Sequence, residues 1–282
     1  MSRLIIVSNR LPVKVLKKAN KLTYKTSEGG LATGLSSFYK EEDNIWIGWP
    51  GLYLTKEEKR HQVKEDLLHE HMFPVFLTKN EIRDYYEGFS NETLWPTFHY
   101  FNQYAVYRPT FWEAYKNVNK KFCDAVLEIA EPGDTIWVHD YQLMLLPEMI
   151  RKALPNSSIG FFQHIPFPSY EVFRLLPWRQ ELLRGLLGAD LIGFHTFDDV
   201  RHCLSSMSRL LGVGSHNNKL DYDSRSIMVD AFPMGIDYEK YATVAASDTV
   251  EKLMEEFRES IQEEKIILSI DRLDYSKGIP QR

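Results

Sequence analysis

The sequence predicts an α/β fold, a parallel sheet carrying helices on both faces, and three features predict it. Short apolar runs at 4–7, 135–138, 159–162, 190–194 and 227–231 are bounded by turn residues, the pattern of strands buried on both sides. Helical periodicity lies between them, as in Leu143, Leu146, Met149 and Ile150, which follow one run and precede the next. Three of the runs end in an imidazole: His139, His164 and His195. An apolar strand should not finish on a polar group unless water or a polar ligand waits there. In parallel sheets ligands bind beyond the carboxyl ends of the strands. Residues 135–177 read as one βαβ unit with a right-handed crossover, and the chain is organised around it.

Composition bounds the rest. A chain of 282 residues suits one large α/β domain or two small ones. With 44% hydrophobic and 26% charged residues it can build a sizeable core. A net charge of −5 without a long basic run argues against nucleic acid as a partner. Cys123 and Cys203 fall in helix-like segments without metal-ligand spacing and read as reduced core thiols. No apolar run approaches the ~20 residues of a membrane span. Met-Ser-Arg leads straight into a strand without a leader pattern. A soluble, cytoplasmic protein that binds no membrane is expected.

The elements follow in order. The run at 4–7 opens onto Ser8-Asn9-Arg10-Leu11-Pro12-Val13 and puts Arg10 at a strand's carboxyl end. There its guanidinium serves either a surface salt bridge or a cleft. Residues 14–26 are polar and lysine-rich, a loop or loose hairpin. Gly29 and Gly30 precede a helical pattern; such a turn lets backbone N–H groups approach an anion, although paired glycines also make plain turns. The segment is neither a dinucleotide fingerprint nor a Walker loop.

Residues 45–51 are a strand and turn, 52–70 a charged helix and 72–77 a strand. Residues 84–91 and 94–96 read as loops. Trp49, Tyr86 and Trp95 give these segments a density of aromatics that suits either a sugar-binding pocket or core packing. Residues 108–130 read as a helix from Arg108-Pro109, ended by Pro132-Gly133. Beyond the βαβ unit, 171–174 and 179–187 look helical, 197–211 is an amphipathic helix, and 215–224 is a hairpin or loop. Residues 248–264 form a charged, solvated helix. Residues 266–270 read as a fresh strand running into Asp271-Arg272-Leu273-Asp274-Tyr275-Ser276-Lys277-Gly278. A strand with no helix after it cannot close a parallel layer, so a second domain is expected to begin there. The expected division is 1–247, a connecting helix at 248–264, and 265–282 as the first strand and phosphate loop of a truncated second domain.

Eight segments then carry a resemblance. They are Val7-Ser8-Asn9-Arg10-Leu11-Pro12-Val13, Gly29-Gly30-Leu31, Gly48-Trp49-Pro50-Gly51, Ser90-Asn91 with Leu94-Trp95-Pro96, Trp137-Val138-His139-Asp140-Tyr141, Phe162-Gln163-His164-Ile165-Pro166-Phe167-Pro168, Gly193-Phe194-His195-Thr196, and the run from Asp271 to Gly278. In this order the chain resembles the N-terminal half of the trehalose-6-phosphate synthase family. These are UDP-forming glucosyltransferases with two Rossmann-like domains, the GT-B fold. The likeness is to variants with a longer loop before the glycine pair, which often carry a phosphatase domain further along.

The resemblance implies transfer of glucose from UDP-glucose to glucose 6-phosphate with retention, giving α,α-trehalose 6-phosphate and UDP. It assigns Arg10 to the acceptor phosphate, and Trp49, Tyr86, Trp95 and Asp140 to the acceptor side. Gly29 and Gly30 match the loop over the donor. His164, with Ile165 beside it, matches the contact to the donor glucose. Arg272 and Lys277 match the pair on the UDP diphosphate. Asp140, His164, Arg272 and Lys277 would carry the catalysis. Neither metal nor cofactor is expected, because the Arg/Lys pair takes a cation's place. The partners implied are the two small-molecule substrates, with a homo-oligomer allowed. The competing expectation is a non-catalytic, sugar-phosphate-binding regulatory module of the same family. A generic dehydrogenase is disfavoured by the missing dinucleotide fingerprint.

Overall fold

The computed structural model describes residues 3–18, 21–26, 44–261 and 267–282. The chain divides into two compact units, Met1–Pro233 and Met234–Arg282.

The first unit is built on a sheet. Its strands are β1 (Leu4–Arg10), β2 (Val13–Lys18), β3 (Lys21–Thr26), β4 (Ile45–Trp49), β5 (Met72–Pro74), β6 (Thr135–His139), β7 (Ser158–Phe162), β8 (Leu191–Phe194), β9 (Ser215–His216), β10 (Lys219–Tyr222) and β11 (Arg225–Ala231). Among the described residues nine of them form one sheet in the order β5-β4-β1-β6-β7-β8-β11-β10-β9, while β2 and β3 pair as a separate hairpin. Pairings from β5 through β11 are parallel. The edge strands β10 and β9 are antiparallel. From β1 the chain winds outward to β4 and β5, then returns to β6 and winds the other way. The switch point therefore lies between β1 and β6, where open α/β sheets bind their ligands.

Alternation along β1 explains why both faces are covered. Ile5 and Val7 enter a large core with Ile136, Val138 and Phe161. Ile6, facing the other way, joins Trp46, Val63 and Leu67. Helix α1 (Glu57–Leu68) supplies Val63 and Leu67 to the smaller core. Helices α2 (Pro109–Ile129), α3 (Leu146–Ala153), α4 (Arg179–Leu186) and α5 (Phe197–Leu211) cover the larger one. Pro109 at the first turn starts α2, where its missing N–H costs nothing. Thr196 caps α5 by accepting from the Asp199 N–H, and Gly212 ends it at φ +70°. No helix among the described residues is long and apolar enough to cross a membrane.

Two expectations are corrected here. The aromatic stretch read as loops is helical: Ile82–Leu94 forms a π-helix that runs into a short α-helical turn, Trp95–Phe98. Gly88, Ser90, Asn91 and Pro96 hide it, because they are weak helix formers and the apolar spacing does not follow an α period. Packing overrides propensity. Tyr85, Phe89 and Leu94 are fully buried, and Gly88 lets the Phe111 ring approach so closely that an added Cβ would meet it at 2.8 Å.

The second correction lies in the second unit. Residues 267–270 form no strand, and Ile267, Leu268 and Ile270 are 95%, 79% and 83% exposed. A parallel strand needs a paired neighbour, and none stands beside this segment among the described residues. The unit instead holds α6 (Tyr238–Ala245), which the sequence did not predict, and α7 (Asp248–Ile261), followed by the 3-10 turns Tyr275–Lys277 and Ile279–Gln281.

Candidate active site

Arg10 closes β1, and the sheet brings it to Trp49 at the end of β4, its partner in register after a bulge. The guanidinium carbon lies 4.3 Å from the Trp49 ring centroid and 5.6 Å from that of Tyr86. The two rings meet edge-on at 5.7 Å. Trp49 is fixed by its indole N–H, which donates to the Leu52 carbonyl at 3.0 Å. Gly48 and Gly51 make room. A Cβ at Gly48 would sit 2.8 Å from the Leu11 nitrogen, and one at Gly51 would strike Nη1 of Arg10. Ser8 ties the strand end down, donating to the Arg10 carbonyl at 2.7 Å and accepting from the Trp46 indole at 2.7 Å. Among the described residues no carboxylate pairs with Arg10. A guanidinium flanked by aromatic faces and lacking a counter-ion is suited to a phosphate.

Asp140 stands across the switch point, just beyond β6, which pairs with β1 through Val7 and Val138. Its backbone lies at φ +75°, ψ 166°, a region occupied almost only by glycine. Its carbonyl accepts from the Leu143 N–H at 3.0 Å, and three more hydrogen bonds hold it there. Its N–H donates to the Phe162 carbonyl at 2.7 Å, and Oδ1 accepts from the backbone N–H groups of Tyr141 at 3.0 Å and His164 at 3.1 Å. Oδ2 makes no hydrogen bond among the described residues. Burial raises the carboxyl from its ordinary 3.8 to about 6, against the pull of the two backbone donors. Strain of this kind persists only where the surroundings over-determine it, and it clusters at functional sites.

The π-helix links the two halves. Its i→i+5 repeat brings residues five apart to one side, so Tyr86 and Asn91 share a stripe that Trp95 continues. Tyr86 meets Trp49. Asn91 Oδ1 accepts from the Tyr141 hydroxyl at 3.0 Å, and the Trp95 ring lies 5.9 Å from that of Tyr141. Asn91 and Tyr141 stand out in the sequence only as members of motifs; the side-chain bond that joins them shows in no local pattern.

His164 lies just past β7. Its Nε2 is 3.0 Å from Nδ1 of His139, which ends β6 and is fully buried. The His195 ring, just past β8, lies 5.5 Å from that of His164. Three neighbouring strands thus end in a row of imidazoles. Burial holds all three below the usual histidine value, His164 at about 4 with a smaller push from His195. The row is neutral near pH 7. Ile165 is buried in the larger core, so what it offers a ligand is backbone. The loop is pinned by Asp199, which accepts from the Phe167 N–H at 2.8 Å.

The structure brings together Arg10, Trp49 and Tyr86, and separately Asp140, His164 and, through Tyr141, Trp95. Gly29 and Gly30 lie outside the described residues. Arg272 and Lys277 belong to the second unit; Lys277 closes the 3-10 turn Tyr275–Lys277, where Asp274 accepts from the Ser276 N–H and Gly278 adopts φ +62°, and Arg272 lies three residues before it.

An open parallel sheet with its polar residues gathered at the strand ends around a switch point defines a ligand-binding α/β domain of the Rossmann type. The chain belongs to glycosyltransferase family 20, whose profile matches residues 2–282. It is 46% identical over 287 residues to the alpha,alpha-trehalose-phosphate synthase [UDP-forming] 56 kDa subunit of Kluyveromyces lactis, covering 99% of this chain and 58% of that protein. It is 44% identical to the corresponding subunit of Saccharomyces cerevisiae, with 99% and 58% covered. Among solved structures it is similar to the Escherichia coli protein bound with UDP-2-fluoro glucose, with a TM-score of 0.82, 31% identity, and 99% and 59% of the two chains covered. It is likewise similar to the Burkholderia xenovorans synthase in complex with glucose-6-phosphate, with a TM-score of 0.81, 31% identity, and 99% and 60% covered. The chain spans a little over half the length of these relatives.

Proposed function

We propose that this chain is the acceptor-side half of a UDP-forming α,α-trehalose-phosphate synthase. The whole protein moves glucose from UDP-glucose to glucose 6-phosphate and releases UDP. The observation that carries the reading is Arg10: a guanidinium at the switch point, packed against Trp49 and Tyr86 and without an acidic partner among the described residues. Its fork binds the acceptor phosphate. Trp49, Tyr86 and Trp95 line the hexose, and Asp140 Oδ2 accepts from an acceptor hydroxyl and orients it. His164 and the Ile165 backbone meet the donor glucose, and Gly29 and Gly30 are assigned to the donor as well. Arg272 and Lys277, from the start of a donor domain after the 248–264 connector, stabilise the charge on departing UDP in place of a metal.

Retention results from attack on the leaving-group face. The bond from the anomeric carbon to UDP breaks, the acceptor oxygen forms the new one, and its proton passes to the departing phosphate. Two buried free thiols, Cys123 and Cys203, suit a cytoplasmic setting.

Calorimetric titration of this chain with glucose 6-phosphate tests the reading. Arg10→Ala should weaken binding by about 10–100-fold, the worth of hydrogen bonds to a charged group. Arg10→Lys should recover part of it, since it keeps the charge but loses the fork. An Ala variant that binds glucose 6-phosphate as tightly as the parent sinks the proposal.

A further inference from the structure

The space between His139 Nδ1 and His164 Nε2, 3.0 Å, holds one proton when both rings are neutral. If His164 donates it, His139 must carry its own proton on Nε2. That atom is buried and has no partner among the described residues. If His139 donates it, the same atom is an empty lone pair in a ring packed on Trp137, the two centroids 4.4 Å apart. Folded proteins orphan buried N–H groups more rarely than acceptors. The second arrangement leaves His164 accepting at Nε2, so its proton sits on Nδ1. Nδ1 of His164 makes no hydrogen bond among the described residues. The His164 backbone is held as well, since Asp140 Oδ1 accepts from its N–H at 3.1 Å.

We propose that His139 is a positioning residue that fixes the proton of His164 on Nδ1, so that His164 meets a hydroxyl or ring oxygen of the donor sugar only as a hydrogen-bond donor. This rests on the placing of His164 against the donor glucose. Nδ1–H is the reverse of the form that predominates for histidine in water, so the lock has a spectroscopic signature.

The test is long-range proton–nitrogen correlation on the chain labelled with 15N-histidine. Both His139 and His164 should show a protonated Nδ1 and a bare Nε2. In His139→Ala, water reaches Nε2 of His164 and its Nε2–H form should become the majority. In His139→Asn, whose amide can donate from the place of Nδ1, His164 should stay Nδ1–H. A parent protein with His164 protonated on Nε2 overturns the proposal. So does an Ala variant that leaves the tautomer unchanged, or an Asn variant that loses it; if the Ala variant does not fold, the parent and Asn spectra decide. Titration with UDP-glucose tests the donor contact separately. A shift of the His164 Nδ1–H signal supports that contact, whereas tautomers as expected with no response reject it and uphold the proton placement.

Discussion

Asp140 carries two costs at once, a backbone angle that favours glycine and a carboxyl displaced from its ordinary 3.8 to about 6. Their consequences separate in an experiment. A carboxyl whose value in the folded state is the higher one binds more protons folded than unfolded across that window. Its contribution to stability is therefore present at low pH and lost as pH rises from about 4 to about 6. Asp140→Asn removes the titration and keeps an acceptor for the two backbone donors. The unfolding free energy of the Asn variant relative to the parent should climb across that window by up to about 3 kcal/mol and then level off. Urea unfolding at pH 4 and pH 7 measures it, and an offset equal at both pH values refutes the assignment. At this scale much of the site was legible. Arg10, Asp140 and His164 each come within three residues of the end of an apolar run, which puts them at strand ends. The angle at Asp140, the lack of a counter-ion for Arg10 among the described residues and the His139–His164 bond were not, since each depends on groups distant in the chain.

Elements differ in how much of their cause is local. The parallel strands are apolar runs that must be buried, and their positions read directly. The π-helix depends on Tyr85, Phe89 and Leu94 finding a core, so propensity pointed the wrong way. Helix α6 buries no residue and is capped by Asp237, which accepts from the Lys240 N–H at 3.1 Å; a short helix without a buried face leaves little periodic signal. Residues 267–270 show the converse, apolar enough for a strand but with no neighbour to pair with among the described residues. Gly48 is the element-scale device that seats Arg10. The Cβ of Gly48→Ala would meet backbone, the Leu11 nitrogen at 2.8 Å and the Arg10 carbonyl carbon at 2.9 Å. That change should cost about 1–3 kcal/mol of stability and weaken glucose 6-phosphate binding although it touches no ligand. Unfolding and calorimetry together measure it, and an Ala variant as stable as the parent is the contrary result.

For the whole molecule the controlling fact is that the chain covers 58% of its Kluyveromyces lactis relative. Transfer requires both substrates held in one orientation, and orientation supplies much of the rate. This chain is expected to bind glucose 6-phosphate yet release UDP from the pair of substrates about 100-fold or more slowly than a full-length relative. A coupled assay for UDP settles it, and equal rates reject the acceptor-side assignment. The sequence by itself determined that a parallel sheet would form and that Arg10, Asp140 and His164 would stand at its carboxyl edge, because the burial of an apolar run, and the position of the few residues that follow it, are local consequences of chain order. Only the tertiary structure decided that β1 and β6 are neighbours across the switch point, that a π repeat aligns Tyr86, Asn91 and Trp95, and that one imidazole leans on another. Those outcomes arise from contacts between segments far apart in the chain, where no local pattern can register them.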